Sequence, residues 1–530
     1  MQQVVVKNVV IQGGVFTFNF LTSLAIPVLL AHLLGRDGVG RYGYYYRLFD
    51  WLAAIALFIM PPILIRYVAE LRGQYRISKT WNLLKKSFWL QGMITLLVVF
   101  GSTLYFFGIL ERSRTDRVLF MIIQLAFGCY SFGRIGESFI KGYQAYGRVA
   151  IAGIISTIAR FMGLSILFSM KEGSLFAAIL VFSGSQMIYL LSILFALVDL
   201  WRSQPEMGNE PIAEETNLRS RMFEYGTSMA IASLFSMVTW NFIEVFFLDY
   251  FWSDKSGYAA ELAYYTLAIS LAMFPVRLSR MSSETLLPAF SELYGGRELD
   301  RLSRGYETAT VLSTVIGIFP CVMAWVLAPS LLAVLFPLEL LPTVIPFRLL
   351  LIPSFFLAIS YPGGAALPAI EGHRFFLKWA VMAALVNLVL DVWLIPKWGA
   401  VGAAAVNMLL QTAGSIASIL YVGIYRKIGF PLMRVARSCG AAIMVGFLAS
   451  GVSLLVRRLN GSNFFCLILG ILGGTLLYIY FLRQWQIFGN NERQFFIRCQ
   501  RFVPTRWQPR FLVLVAWISA LSENIEPLEK

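Results

Sequence analysis

The chain has 530 residues, of which 58% are hydrophobic and only 14% charged, and its formal net charge is +15. A soluble globular chain averages about 45–50% apolar and about 25% charged residues, so this composition leaves little room for a soluble domain. The basic excess does not indicate nucleic acid, because no basic run is interleaved with aromatics on a soluble face. Arginines and lysines beside apolar spans read instead as orientation signals and contacts with anionic lipid.

A helix needs about 20 apolar residues to cross the hydrocarbon core of a bilayer. Fourteen such runs succeed one another, at 9–34, 43–68, 87–110, 118–140, 149–170, 174–200, 224–251, 262–290, 307–336, 344–370, 374–395, 399–424, 438–456 and 462–482. The first run is too long for a cleaved signal peptide and no small-residue cleavage site comes after it. With the N-terminus in the cytoplasm, the inside loops carry nineteen lysines and arginines and the outside loops eleven. An even number of spans returns the C-terminus to the same side, where the tail adds Arg483, Arg493, Arg498, Arg501, Arg506 and Arg510. The expected architecture is an all-α integral membrane protein with both termini cytoplasmic.

The core repeats itself. At a shift of 226 residues, Arg148 falls on Arg374, Lys171 on Lys397, Gly173 on Gly399 and Ala177-Ala178 on Ala403-Ala404. Near a shift of 222, Glu70-Leu71 falls on Glu292-Leu293. Each repeat holds six spans, so the halves share one orientation, the parallel arrangement of some transporters, with a substrate path expected between two lobes. The expected division is a six-helix lobe at 1–200, a polar linker at 201–223, a second six-helix lobe at 224–424, two further helices at 425–482 and a basic tail at 483–530. The tail suits an interfacial helix, and its run 511–519 is too short to span.

The chemistry of an enzyme is not written here. No G-x-x-x-x-G-K-[ST] and no H-E-x-x-H occurs, and no outside loop is long enough to carry a catalytic domain. His32 and His373 are the only histidines, which excludes a histidine-based metal centre. The cysteines Cys129, Cys321, Cys439, Cys466 and Cys499 form no C-x-x-C, so neither a disulfide framework nor a zinc site is expected, and no cofactor is implied.

Charges inside spans cost about 2.5–3.5 kcal/mol each on insertion scales and need a reason. Arg134 and Glu137 stand three apart, and Arg280 and Glu284 four apart, so each pair shares a helix face and can neutralise itself. Asp50, Arg348 and Asp391 fall near predicted span ends, where solvation is cheap. Arg277 and Arg160 have no partner within their own helices. Either one forms an interhelical ion pair, or it lines a wet cavity where its fork of donors meets a phosphate. Gln12, Asn19 and Ser23 form one polar stripe, and Ser233, Ser236, Trp240 and Glu244 another. Such stripes serve helix–helix hydrogen bonds or a sugar path; Trp240 offers a flat face for a sugar, and Glu244 is the acid best suited to cation or proton coupling.

The stretch from Asn387 to Ala404, Asn-Leu-Val-Leu-Asp-Val-Trp-Leu-Ile-Pro-Lys-Trp-Gly-Ala-Val-Gly-Ala-Ala, resembles the N-L-x-L-x-x-x-L-I-P-x-x-G-x-x-G-A-A segment of bacterial polysaccharide flippases. These belong to the multidrug/oligosaccharidyl-lipid/polysaccharide exporter superfamily. Leu34 to Gly43, Tyr264 to Ala268 and Leu287 to Leu293 look similar to other family segments. The resemblance covers roughly residues 1–480. It implies a secondary transporter of the cytoplasmic membrane that flips an undecaprenyl-diphosphate-linked oligosaccharide for polysaccharide biosynthesis. Its implied partners are that substrate, membrane lipids, and the polymerase or glycosyltransferases of the same route. A lipid II flippase remains an alternative. So does a drug or cation antiporter, although those usually have twelve spans, often with an acidic residue in the first, which this chain lacks. The basic tail after Arg483 departs from the family pattern.

Overall fold

The computed structural model describes residues 2–57, 60–73, 77–108, 113–171, 173–203, 231, 234–240, 242–284, 286, 290, 293–294, 297–370, 373–459, 462–500 and 507–519. Along 2–21 and 277–284 only the helix backbone is described. Every regular element among these residues is helical. The solvent explains this: inside a bilayer each backbone polar group needs a partner in its own segment.

The first unit, residues 1–267, opens with α1 (Gln2–Leu57), two helical arms joined at Gly35. Gly35 adopts φ 65° and ψ −174°, a left-handed geometry that glycine tolerates without a Cβ penalty. The sequence places a loop at 35–42; the structure instead resumes the helix directly after Gly35, so Arg41 and Arg47 are helical. After the second arm come α2 (Met60–Gly73), α3 (Ile77–Gly108), α4 (Arg114–Gly142), α5 (Tyr146–Ser169) and α6 (Leu175–Arg202). Ser113 and Ser174 cap α4 and α6, accepting hydrogen bonds from the backbone N–H groups of Asp116 and Ala177. Then come α7 (Leu234–Trp240) and α8 (Glu244–Trp252), bent by 63° where Phe242 takes a positive φ of 54°. Next is α9 (Tyr258–Glu284).

The second unit, residues 268–530, takes up the end of α9. It continues with α10 (Leu299–Leu335), α11 (Val344–Ala369), α12 (His373–Leu420), α13 (Leu432–Arg458) and α14 (Asn463–Gln484). The amphipathic α15 (Asn490–Cys499) and the short α16 (Gln508–Ser519) close the described chain. Like α1, α12 is two arms, here joined at Gly399 with φ 50°. The break at Gly399 lies two residues after Lys397, whose repeat counterpart Lys171 makes a left-handed turn between α5 and α6 with φ 57°. The matched sequences thus bend the chain in nearly the same place.

Ten helices among the described residues are long and apolar enough to cross a membrane, and the bent pair α7–α8 makes an eleventh. The break at Gly399 divides one of the ten into the eleventh and twelfth sequence runs; the first arm of α1 carries the first run, and the second run falls on the second arm and the start of α2. Leu96, Leu97 and Phe100 on α3 are 70%, 68% and 65% exposed. A stripe of such side chains belongs against lipid rather than water.

Lipid offers helices no hydrophobic drive to associate, so close approach through small residues holds them together. In the first unit Gly40 lies against the backbone of Ala259 and Ala263, and Gly43 against Thr266. Two of the family-like stretches are therefore partners in one helix contact, α1 on α9. In the second unit α13 and α14 pack on α10 with Gly446 against Val322, Gly470 against Leu327 and Gly474 against Met323.

Candidate functional site

The second arm of α1 turns Tyr42, Tyr46 and Asp50 to one face, four residues apart. Arg160 of α5 meets that face. Its Nη2 donates to the Tyr42 hydroxyl at 2.7 Å, and its guanidinium lies 4.9 Å from the ring centre of Phe182 on α6 and 5.5 Å from that of Tyr46. Its Nε is buried and makes no hydrogen bond among the described residues. Asp50 is held by Arg47 at 3.0 Å. The guanidinium is thus paired to a phenol and lies over two rings, with one buried donor unused.

An aromatic chain links this point to α4. Phe49 contacts Phe182 at 4.9 Å and Tyr130 at 5.2 Å, and Tyr130 contacts Tyr189 at 5.9 Å between ring centres. Tyr189 donates to the Glu137 carboxylate. Arg134 and Lys141 each reach Glu137 Oε1 at 2.6 Å, and Arg134 also lies 6.0 Å from the Tyr130 ring. Among the described residues, four cations, Arg47, Arg134, Lys141 and Arg160, thus face two carboxylates, Asp50 and Glu137. The cluster carries two positive charges in excess, threaded with flat aromatic surfaces. Guanidinium donors in excess over carboxylates suit an anionic group.

The expected site residues divide. Arg160 and Arg134 come together on this one cluster, 26 residues apart in sequence. Arg134 makes the local pair with Glu137 that its spacing implies, but Lys141 and Tyr189 share the same carboxylate. Trp240, 40% exposed, ends α7, while Glu244 is fully buried at the start of α8 and accepts a hydrogen bond from Tyr265 at 3.0 Å. The bend between them takes Glu244 off the stripe that uniform helical spacing would give. Asn19, Arg277 and Arg280 lie on described helix backbone, and their side chains fall outside the described residues, as do those of Gln12 and Ser23.

One charge differs from the expectation of cheap solvation near span ends, while Arg348, near the start of α11, stays partly exposed. Asp391 is fully buried within α12. Arg348 is held by the Trp325 carbonyl at 3.0 Å, with the indole under its guanidinium at 4.8 Å. Sequence reading missed the tyrosines. Tyr42, Tyr46, Tyr130 and Tyr189 sit in apolar runs where an aromatic is unremarkable; the available signal was the four-residue spacing of Tyr42, Tyr46 and Asp50.

The fold and its long apolar helices define a class: a multi-pass, all-helical membrane protein. The family model described as polysaccharide biosynthesis protein matches residues 5–294. The chain belongs to that family. Among proteins of known sequence, an uncharacterised membrane protein of Methanocaldococcus jannaschii is 22% identical over 396 residues, covering 72% of this chain and 76% of that one. Among solved structures, the inward closed conformation of the lipid II flippase MurJ is similar, with a TM-score of 0.65, 16% identity and coverage of 88% of this chain and 97% of that chain. An inward-facing multidrug resistance transporter of the MATE family, in the MOP superfamily, matches with a TM-score of 0.60, 14% identity and coverage of 78% and 96%. At these identities the structures show a common fold.

Proposed function

We propose that the protein is a secondary transporter that flips a polyprenyl-diphosphate-linked oligosaccharide across the cytoplasmic membrane, with both termini in the cytoplasm, and performs no catalysis. The observation that carries this reading is the buried, unused Nε of Arg160 inside a cluster with excess positive charge and stacked aromatic rings. A diphosphate brings several acceptor oxygens and at least two negative charges, and an arginine fork meets such oxygens in pairs. The sugars attached to it require hydrogen bonds and flat apolar faces. Family membership in polysaccharide biosynthesis supports the same substrate class.

In this reading Arg160 and Arg134 bind the headgroup, Arg277 and Arg280 are further phosphate ligands on α9, Asn19 and Trp240 contact sugar, and Glu244 couples transport to an ion. A flippase for lipid II is the second reading, favoured by the MurJ-like fold across most of the chain. Depletion of the protein in its host separates the two. Lipid-linked oligosaccharide should accumulate in the cytoplasmic leaflet while peptidoglycan synthesis continues. Arrested peptidoglycan synthesis with normal polysaccharide export would reverse the assignment.

A further inference from the structure

The tail that departs from the family pattern is built into the second unit. Trp485 caps α14, and Gln486 turns the chain in the left-handed region with φ 46°. Arg434 of α13 then clamps α15 in place. Its two terminal nitrogens each reach a carboxylate at 2.9 Å, Glu307 on α10 and the fully buried Glu492 on α15. Glu492 also accepts from the Gly489 backbone N–H at 2.8 Å, fixing the first turn of α15. Arg483 at the end of α14 lies 4.6 Å from the Trp517 ring of α16. The tail is thus fixed to the end of the bundle at which α13 begins and α14 finishes.

That junction leaves an open cleft of about 730 Å³ lined by Ala436, Arg437, Gln484, Trp485 and Gln486. The cleft offers a guanidinium, two amides and an indole, with no acid among its described lining residues. Arg437 Nη1 donates to the Trp485 carbonyl at 3.3 Å, which orients the fork and leaves its other donors to the cleft. On α13, Leu432 and Met433, one turn before the lining residues Ala436 and Arg437, are 70% and 66% exposed. Residues 483–519 hold six arginines and one acid, Glu492, which shares Arg434 with Glu307.

We propose that this cleft is a headgroup site for an anionic phospholipid of the cytoplasmic leaflet, with Arg437 as the phosphate ligand and the exposed apolar rim lying against acyl chains. A positive cleft beside apolar side chains in a membrane protein meets lipid phosphate at the one depth where both are satisfied. A soluble polyanion would use the charge and leave the apolar rim in water, so the combination favours a lipid. The site takes its leaflet from the orientation proposed above but is separate from the substrate cluster on α1, α4, α5 and α6, and its failure would leave the flippase reading untouched.

The test is native mass spectrometry of the full chain in detergent, titrated with phosphatidylglycerol or phosphatidylcholine. Wild type should retain phosphatidylglycerol preferentially. Arg437→Gln should reduce that preference about fivefold, the value of one basic side chain near an anionic surface, and Arg437→Lys should keep most of it. An unchanged preference in Arg437→Gln, or its loss in Arg437→Lys, overturns the proposal. So does glycerol phosphate without acyl chains, if it competes as well as the lipid.

Discussion

Tyr42 and Arg160 stand 118 residues apart in sequence and 2.7 Å apart in space, phenol oxygen to guanidinium nitrogen. The contact ties the second arm of α1 to α5 and fixes the plane of the guanidinium over Phe182. Removing only the Tyr42 hydroxyl should loosen the arginine without deleting its charge. Tyr42→Phe is expected to keep normal protein levels and to slow flipping a few-fold. Arg160→Ala should slow it by about tenfold or more with the protein still inserted. If Arg160→Ala instead loses protein abundance and the folded remainder transports at the wild-type rate, the arginine is structural.

Glu137 makes the opposite prediction. It gathers Arg134, Lys141 and Tyr189 and is 6% exposed. Neutralising it leaves two cations sharing a site with no counter-charge. Removal of one partner from a buried ion pair costs on the order of 3 kcal/mol, and the partial exposure of both cations places this case at the lower end. Glu137→Gln should therefore lower the unfolding temperature in detergent by several degrees. An unchanged temperature would show that water already screens the cluster.

Gly43 tests the α1–α9 contact. A Cβ there would stand 2.5 Å from the Thr266 hydroxyl oxygen and 2.6 Å from its Cβ. Neither atom is the end of a flexible chain, so the helices must separate. Gly43→Ala should reduce the yield of folded protein, and adding Thr266→Gly should restore it. Failure of the second change to rescue the first would place the defect elsewhere.

Arg277 lies three residues before Arg280 and two after Pro275 on α9. As a phosphate ligand it should tolerate Lys partly and Ala not at all, because lysine keeps the charge but loses the paired donors. Flipping measured in well-expressed Arg277→Ala and Arg277→Lys variants decides this. Wild-type transport by Arg277→Ala removes the residue from the substrate path.

The sequence showed the spans because lipid demands long apolar runs, and those survive reading without context. It showed Arg134–Glu137 because partners three apart on a helix must meet. It did not show Arg160–Tyr42, which depends on how α5 packs on α1. Nor did it show the tail clamp, where Arg434, Glu307 and Glu492 are drawn from three helices. The helical continuation after Gly35 also escaped notice. A glycine next to charged residues reads as a loop, and only the backbone shows that one left-handed residue suffices.

Transport of a lipid-linked sugar without chemistry is the core of this reading. The purified chain, reconstituted into proteoliposomes with a fluorescent polyprenyl-diphosphate oligosaccharide, tests it most directly when a membrane-impermeant quencher reports leaflet exchange. The expected result is exchange faster than in protein-free vesicles, unaltered substrate mass, and a rate in Arg160→Ala vesicles close to the protein-free one. Exchange no faster than in protein-free vesicles, in a protein that flips lipid II under the same conditions, would contradict it.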